Sequence, residues 1–227
     1  MKTSLVTALI ATALLVSACQ KKPPATDPAV VVTTAATLPE PAGTPAATPA
    51  PTGELTQQQR EQADKQAKLD FAVMEDKYIN DPKAQWASSA TATTTFGGKD
   101  AAESNMAKNV AGPVDNKDWT NDQQEIGFDA LEVTYEKPVT ATEVRLVVPG
   151  GEGIEALTKV ELQDPEGKWN TVWSGLSDVK EDSRGQRTWF VRSFAPTAYK
   201  TKAVKYTFAN NVQRGYKKAD AAQLIGD

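Results

Sequence analysis

Leu131-Glu132-Val133-Thr134-Tyr135-Glu136 alternates apolar and polar side chains without a break. Successive side chains of a strand point to opposite faces, so a period of two marks a strand with one face buried and the other wet. The pattern repeats downstream. Val144, Leu146 and Val148 alternate in part with Arg145, and Val160-Glu161-Leu162 alternates cleanly. Trp169-Asn170-Thr171-Val172-Trp173 follows, then Trp189 to Phe194, Val204 to Phe208 and a short run to Leu224-Ile225. Asp164-Pro165-Glu166-Gly167 joins two of these runs, with Asp at i, Pro at i+1 and Gly at i+3, as a type I turn prefers. About seven short strands separated by turn signals predict a mainly β, antiparallel sandwich or barrel. Residues 85–227 suffice for one such domain and one core. No long helical pattern interrupts them, which argues against a parallel βαβ sheet.

Upstream of the strands, residues 54–81 have a different period. Thr56-Gln57-Gln58-Gln59 has the spacing of a capping box, with Thr56 as N-cap and Gln59 reaching back. Ala63, Ala67, Phe71, Met74 and Tyr78 recur at helical steps, weakly at first and strongly at the end. Asn80-Asp81-Pro82 stops the helix, because Pro82 disfavours helical geometry at Asp81. The stripe Phe71-Met74-Tyr78 is expected to dock on the following domain; coiled-coil pairing is the rival, but the polar first half sustains no heptad. Residues 19–53 are rich in Pro, Ala and Thr and bury nothing, so they read as a tether. At roughly 3.1 Å per residue an extended Pro-rich tether of this length would reach on the order of 100 Å.

The chain begins with an address. After Lys2, an apolar run from Leu5 to Val16 leads into Ser17, Ala18 and Cys19, then stops at Gln20-Lys21-Lys22. That run is shorter than the roughly 20 residues a membrane-spanning helix needs. Val16-Ser17-Ala18-Cys19 resembles the lipobox of bacterial lipoprotein signals at every position. The resemblance implies that residues 1–18 are a signal peptide and that Cys19 is diacylated, becomes the first mature residue and anchors the chain to a membrane. Two or three acyl chains, at roughly 0.8 kcal/mol per buried methylene, hold far better than one. Gln20 in place of Asp resembles the sorting signal for the outer membrane, so the expected location is the cell envelope, and that membrane where the cell has one.

Composition removes several chemistries. Cys19 is the one cysteine of the 227-residue chain, and there is no histidine. An intramolecular disulfide, a thiolate metal site and a Ser-His-Asp arrangement are therefore excluded. The formal net charge is −4 with both signs interspersed, which offers no footprint for nucleic acid.

Residues 85–227 are similar to discoidin-like, galactose-binding-like domains. The matching stretches are Gln85-Trp86-Ala87-Ser88-Ser89-Ala90, Ala111-Gly112-Pro113, Leu131 to Val139, Ala141 to Arg145, Lys159-Val160-Glu161-Leu162, Gly167-Lys168-Trp169, Val172-Trp173-Ser174-Gly175 and Asp220 to Gly226. The resemblance implies a jelly-roll β-sandwich whose first and last strands lie close together, and a recognition module instead of an enzyme. These stretches are framework and speak for fold more than ligand. The departures fall in loops. Relatives often carry Asn-Pro-Gly before the Lys159 strand, where this chain has Gly150-Gly151-Glu152-Gly153-Ile154-Glu155. Gly215-Tyr216-Lys217-Lys218-Ala219-Asp220 stands near the end in place of a Gly-Trp-Asn-Glu-Ile-Asp type run. No ligand contact is carried over from the family.

Candidate site residues come instead from the loops. A pyranose is held by an aromatic face with amides and charges on its hydroxyls. Two polar loops combine these groups: one carries Trp119, Asn121 and Asp122, the other Asn210, Asn211, Arg214 and Tyr216. Trp86, Trp169 and Trp173 sit in strands and are expected in the core. Asp115, Asn116 and Asp118 have the hard oxygen groups that a structural Ca²⁺ would take; no other cofactor is implied. Gly151-Glu152-Gly153-Ile154-Glu155-Ala156 matches a dinucleotide fingerprint in letters, but the strand expected from Leu157 leaves no helix for the phosphates. Ser177-Asp178-Val179-Lys180 has a Ser-x-x-Lys spacing without its Lys-Thr-Gly companion. The expected partners are the membrane, through Cys19, and a glycan; the alternative is a structural or assembly lipoprotein docking an envelope protein.

Overall fold

Thr56 opens helix α1 (Gln57–Ile79) with the expected reciprocal cap: its hydroxyl accepts from the Gln59 N–H at 3.3 Å, and the Gln59 side chain accepts from the Thr56 N–H at 2.9 Å. The computed structural model describes residues 54–227, so the signal, Cys19 and the tether lie outside the described residues. No helix among the described residues is long and apolar enough to cross a membrane.

Ten strands follow: β1 (Ala84–Trp86), β2 (Ser89–Ala92), β3 (Trp119–Thr120), β4 (Phe128–Pro149), β5 (Leu157–Gln163), β6 (Trp169–Ser174), β7 (Arg187–Ser193), β8 (Lys200–Ala209), β9 (Lys218–Ala219) and β10 (Ala221–Gly226). Every pairing is antiparallel. β4 belongs to both layers of a sandwich. Its first part pairs with β2 and β8, and the layer continues through β5 to β6. The register shifts between Thr134 and Val139, and from Ala141 the strand pairs with β10 and β7 in the second layer. β10 also pairs with β1, so the first and last strands are neighbours. The Asp164–Gly167 turn closes as expected, with the Gly167 N–H donating to the Asp164 carbonyl at 3.0 Å.

Leu131, Val133, Tyr135, Val144, Leu146, Val148, Val160 and Leu162 all point into the core between the layers. The intervening residues of the second layer are buried as well. Val147, Trp189 and Ala221 face outward, where Phe71, Met74, Tyr78 and Ile79 of α1 cover them. This two-sided burial explains the apolar run Leu146-Val147-Val148: one face meets the core and the other meets the helix. Only the C-terminal half of α1 docks; residues 57–66 are exposed. Two arginines rooted in the second layer bind the helix and its exit. Arg145 reaches Asp81 at 2.8 Å and stacks 4.3 Å over the Tyr78 ring. Arg187 lies 3.3 Å from Glu75 and 3.4 Å from Asp220.

Of the three strand tryptophans expected in the core, only Trp169 departs. Trp86 packs in the helix-side cluster, and Trp173 borders the core against Phe190. Trp169 belongs to neither cluster: it is half-buried on β6, with the Lys205 ammonium 4.1 Å over its ring. β6 lies at the end of its layer, and the Lys205 side chain reaches this ring from β8 across β5.

Candidate functional site

The loops before β4 and after β8 lie far apart in sequence and meet at one end of the sandwich. The short ribbon of β3 and β9 joins them, with Trp119 opposite Ala219 and Thr120 opposite Lys218. Beyond the ribbon the Asn121 N–H donates to the Lys217 carbonyl at 3.0 Å, and the Asn121 amide oxygen accepts from the Lys217 N–H at 2.8 Å. The Gly150–Ala156 connection closes the same end, because the Lys218 N–H donates to the Glu152 carbonyl at 3.0 Å. The Gly151-x-Gly153 segment leads into a three-residue 3-10 turn and then β5, so it has no phosphate-binding helix.

A buried polar hub fixes these loops. One Asp129 oxygen accepts from Asn121 at 2.7 Å and Asn210 at 2.9 Å, and the other from Thr93 at 3.0 Å and Thr94 at 2.7 Å. Burial pushes the Asp129 carboxyl pKa up, but these hydrogen bonds outweigh it and hold the group below its ordinary 3.8. Beside the hub, Lys217 is fully buried, and its ammonium meets main-chain carbonyls only. Burial pushes its pKa down, opposed by the charges of Asp129 and Glu125.

Three of the seven loop candidates therefore have structural roles. Trp119 is 0% exposed: its indole fills the end of the core beside Phe208, leaving no face for a sugar. Asn121 and Asn210 spend their amides on the hub and reach no solvent. Asp122, Asn211 and Arg214 are exposed at the same end, and Tyr216 is half-buried. The aromatic partner that sequence reasoning missed is Phe96, 41% exposed and packed edge-on against Tyr216 with ring centroids 5.0 Å apart. Its signal was a lone aromatic before Gly97-Gly98, whose positive φ values of 90° and 57° turn the chain at the surface.

The β3–β9 ribbon also borders a cleft of about 600 Å³, lined by Ser104, Asn105, Asn109, Asp118, Thr120 and Lys218 among others. The Phe96–Tyr216 pair is tied to the same end, since the Phe96 N–H donates to the Thr120 carbonyl at 2.8 Å and Tyr216 precedes Lys218 by two residues, but neither ring lines the cleft. Burial raises the Asp118 carboxyl above its ordinary pKa, against the Lys218 charge and the Thr120 hydrogen bond. The cleft thus offers amides, hydroxyls, ammonium groups and carboxyls. Such a set is chemically suited to a polyhydroxylated ligand through hydrogen bonds and contact.

The three groups considered for Ca²⁺ do not converge. Asp115 pairs with Lys117 at 2.6 Å, the Asn116 side-chain oxygen accepts from Arg187 at 2.7 Å, and Asp118 accepts from Thr120 at 3.2 Å. Among the described residues no group of three or more His, Cys, Asp or Glu is arranged to hold a metal ion.

No protein-family model matches the sequence, and no curated protein matches it. Solved structures similar to it include chitosan-binding module 1 from a chitosanase/glucanase of Paenibacillus sp. IK-5, at 14% identity over 62% of this chain and 96% of that one, TM-score 0.47. Another is the family 32 carbohydrate-binding module of Clostridium perfringens NanJ in complex with galactose, at 14% identity over 62% and 98%, TM-score 0.45. A pectin binding carbohydrate-binding module is similar at 17% identity over 62% and 91%, TM-score 0.45. Likeness at this level carries no statement about what this chain binds.

Proposed function

We propose that the protein is a non-catalytic, lipid-anchored module of the cell envelope that binds a glycan through the loop-bearing end of its β-sandwich. The observation that carries this reading is the polar cleft of Asn105, Asn109, Asp118 and Lys218, at the same end of the sandwich as the edge-on aromatic pair Phe96–Tyr216. A sugar presents an apolar ring face and a rim of hydroxyls, and this end offers a partner for each. Asp122, Asn211 and Arg214 are exposed on the same end and extend the surface available to a longer chain. The anchor rests on the lipobox at Val16-Ser17-Ala18-Cys19. The alternative is a structural or assembly lipoprotein whose β-sandwich docks a protein partner; an exposed helix stripe would have favoured it, and Phe71, Met74 and Tyr78 are instead packed on the second layer.

The test is a glycan array probed with the full chain and with Tyr216→Ala. Capture of particular glycans by the native chain, lost or weakened in the variant, supports the reading. An array with no captured glycan, or capture indifferent to Tyr216, sinks it.

A further inference from the structure

Four carbonyl oxygens converge on the Lys217 ammonium: Gly215 at 2.6 Å, Gln213 at 2.7 Å, Gln124 at 2.8 Å and Asn210 at 3.1 Å. An ammonium has three N–H donors, so four acceptors surround it more like the shell of a cation than a set of single directed hydrogen bonds. The cage is stitched from both loops, since Gln124 precedes β4 and the other three residues follow β8. Main-chain carbonyls are the ligands that proteins commonly turn toward hard cations. The site is sealed as well. Gly153, at φ +96°, lies so close that a Cβ there would stand 2.8 Å from the Lys217 Cα. Without a cation the four carbonyls would face one another around the space that the fully buried Lys217 fills, which is costly.

We infer that the Lys217 ammonium is a built-in structural cation for the loop-bearing end, and that its carbonyl cage takes a free alkylammonium ion once the lysine stem is removed. The site is a cation-binding cage filled by the chain's own side chain, and it orders the segment ending at Tyr216. The inference does not depend on a glycan ligand.

The experiment compares the full chain with Lys217→Ala and Lys217→Met. It reads thermal midpoint and amide exchange in n-propylammonium chloride and, at equal concentration, in tetramethylammonium chloride. Propylammonium replaces the lost stem and nitrogen; tetramethylammonium matches the ionic strength and donates no hydrogen bond. In Lys217→Ala the midpoint falls, and amides of residues 122–127 and 211–216 exchange at least about tenfold faster while strand amides stay protected. Propylammonium reverses both effects and tetramethylammonium neither. Lys217→Met keeps the stem without the charge, and its loops exchange as fast as those of Lys217→Ala. Loop protection in Lys217→Met equal to that of the native chain overturns the inference, as does equal action of the two salts on Lys217→Ala. Should Lys217→Ala fail to fold in either salt, Lys217→Met alone decides: fast loops over protected strands sustain the inference, and native-level protection ends it.

Discussion

The indole N–H of Trp119 donates to the main-chain carbonyl of Thr94 at 2.9 Å, which ties the β3–β9 ribbon to the segment leaving β2. A tryptophan in a polar stretch thereby plugs the sandwich, with its one polar atom satisfied and its ring against Phe208. Trp119→Ala should therefore cost roughly 3–5 kcal/mol of stability, read from the denaturant midpoint. A loss below about 1 kcal/mol would contradict the plug, since surface substitutions stay near that small range.

Phe96 and Tyr216 form the opposite case. Phe96 is 41% exposed, packs edge-on against Tyr216, and belongs to neither hydrophobic cluster, so its removal leaves the core intact. Phe96→Ala and Tyr216→Ala should each weaken glycan capture by about three- to tenfold, the scale of an aromatic contact, with nearly unchanged thermal midpoints. Titration of each variant with the best array ligand checks this.

The helix contact has a lock that can be dissected. A Cβ built on Gly185 would lie 2.1 Å from the Phe71 ring, so the absence of a side chain at 185 makes the socket for that ring. Gly185→Ala should cost about 1–3 kcal/mol by overpacking and Phe71→Ala about 3–5 kcal/mol. Combined, they should cost clearly less than the sum, because without the ring the added methyl meets nothing. Additive losses in urea melts would place Phe71 elsewhere.

Asp129 sets an acid limb. Its folded pKa lies below 3.8, so its contribution to stability is fully present above that value and is lost as pH falls through the folded pKa. Asp129→Asn puts an amide where the Asn121 and Asn210 amides donate, leaving a buried donor unmatched at roughly 1–3 kcal/mol. The variant should be less stable at neutral pH and lose less on acidification than the native chain. Thermal midpoints from pH 7 downward show whether the two curves converge.

The proposed anchor is tested at Cys19. Cys19→Ser should leave an unprocessed precursor without lipid, visible as a larger band and as loss of acyl label. Normal processing and labelling in that variant would refute the lipobox reading.

Where one period holds over several residues, the fold could be read from the chain. Leu131-Glu132-Val133-Thr134-Tyr135 needed nothing but alternation, and Thr56 with Gln59 announced the start of α1. The helical stripe Phe71-Met74-Tyr78 pointed to docking on the sandwich, but which face it covers, with Val147 and Trp189 beneath it, depends on a long-range contact that no local period encodes. The site was harder because β3 and β9 are two residues each, too short to show which way Trp119 points. Asn121 and Asn210 looked like ligand-binding amides since their true partner, Asp129, lies remote in sequence from Asn210. Phe96 stood among threonines and glycines, and only its packing on Tyr216 distinguishes it.

The docking of α1 by its C-terminal half alone has a mechanical consequence. Tension entering from the N-terminal side reaches the undocked turns first, then the contacts of Phe71, Met74 and Tyr78 one after another. Only afterwards does it load β1, three residues long and paired with β10. Helical turns opened in series yield more readily than strands sheared together. Drawing out the 23 residues of α1 from 1.5 Å to roughly 3.4 Å each releases on the order of 40 Å of slack before the sandwich bears load. With Cys19 anchored as proposed, a pull on the chain would be taken up by α1 before it reached the loops.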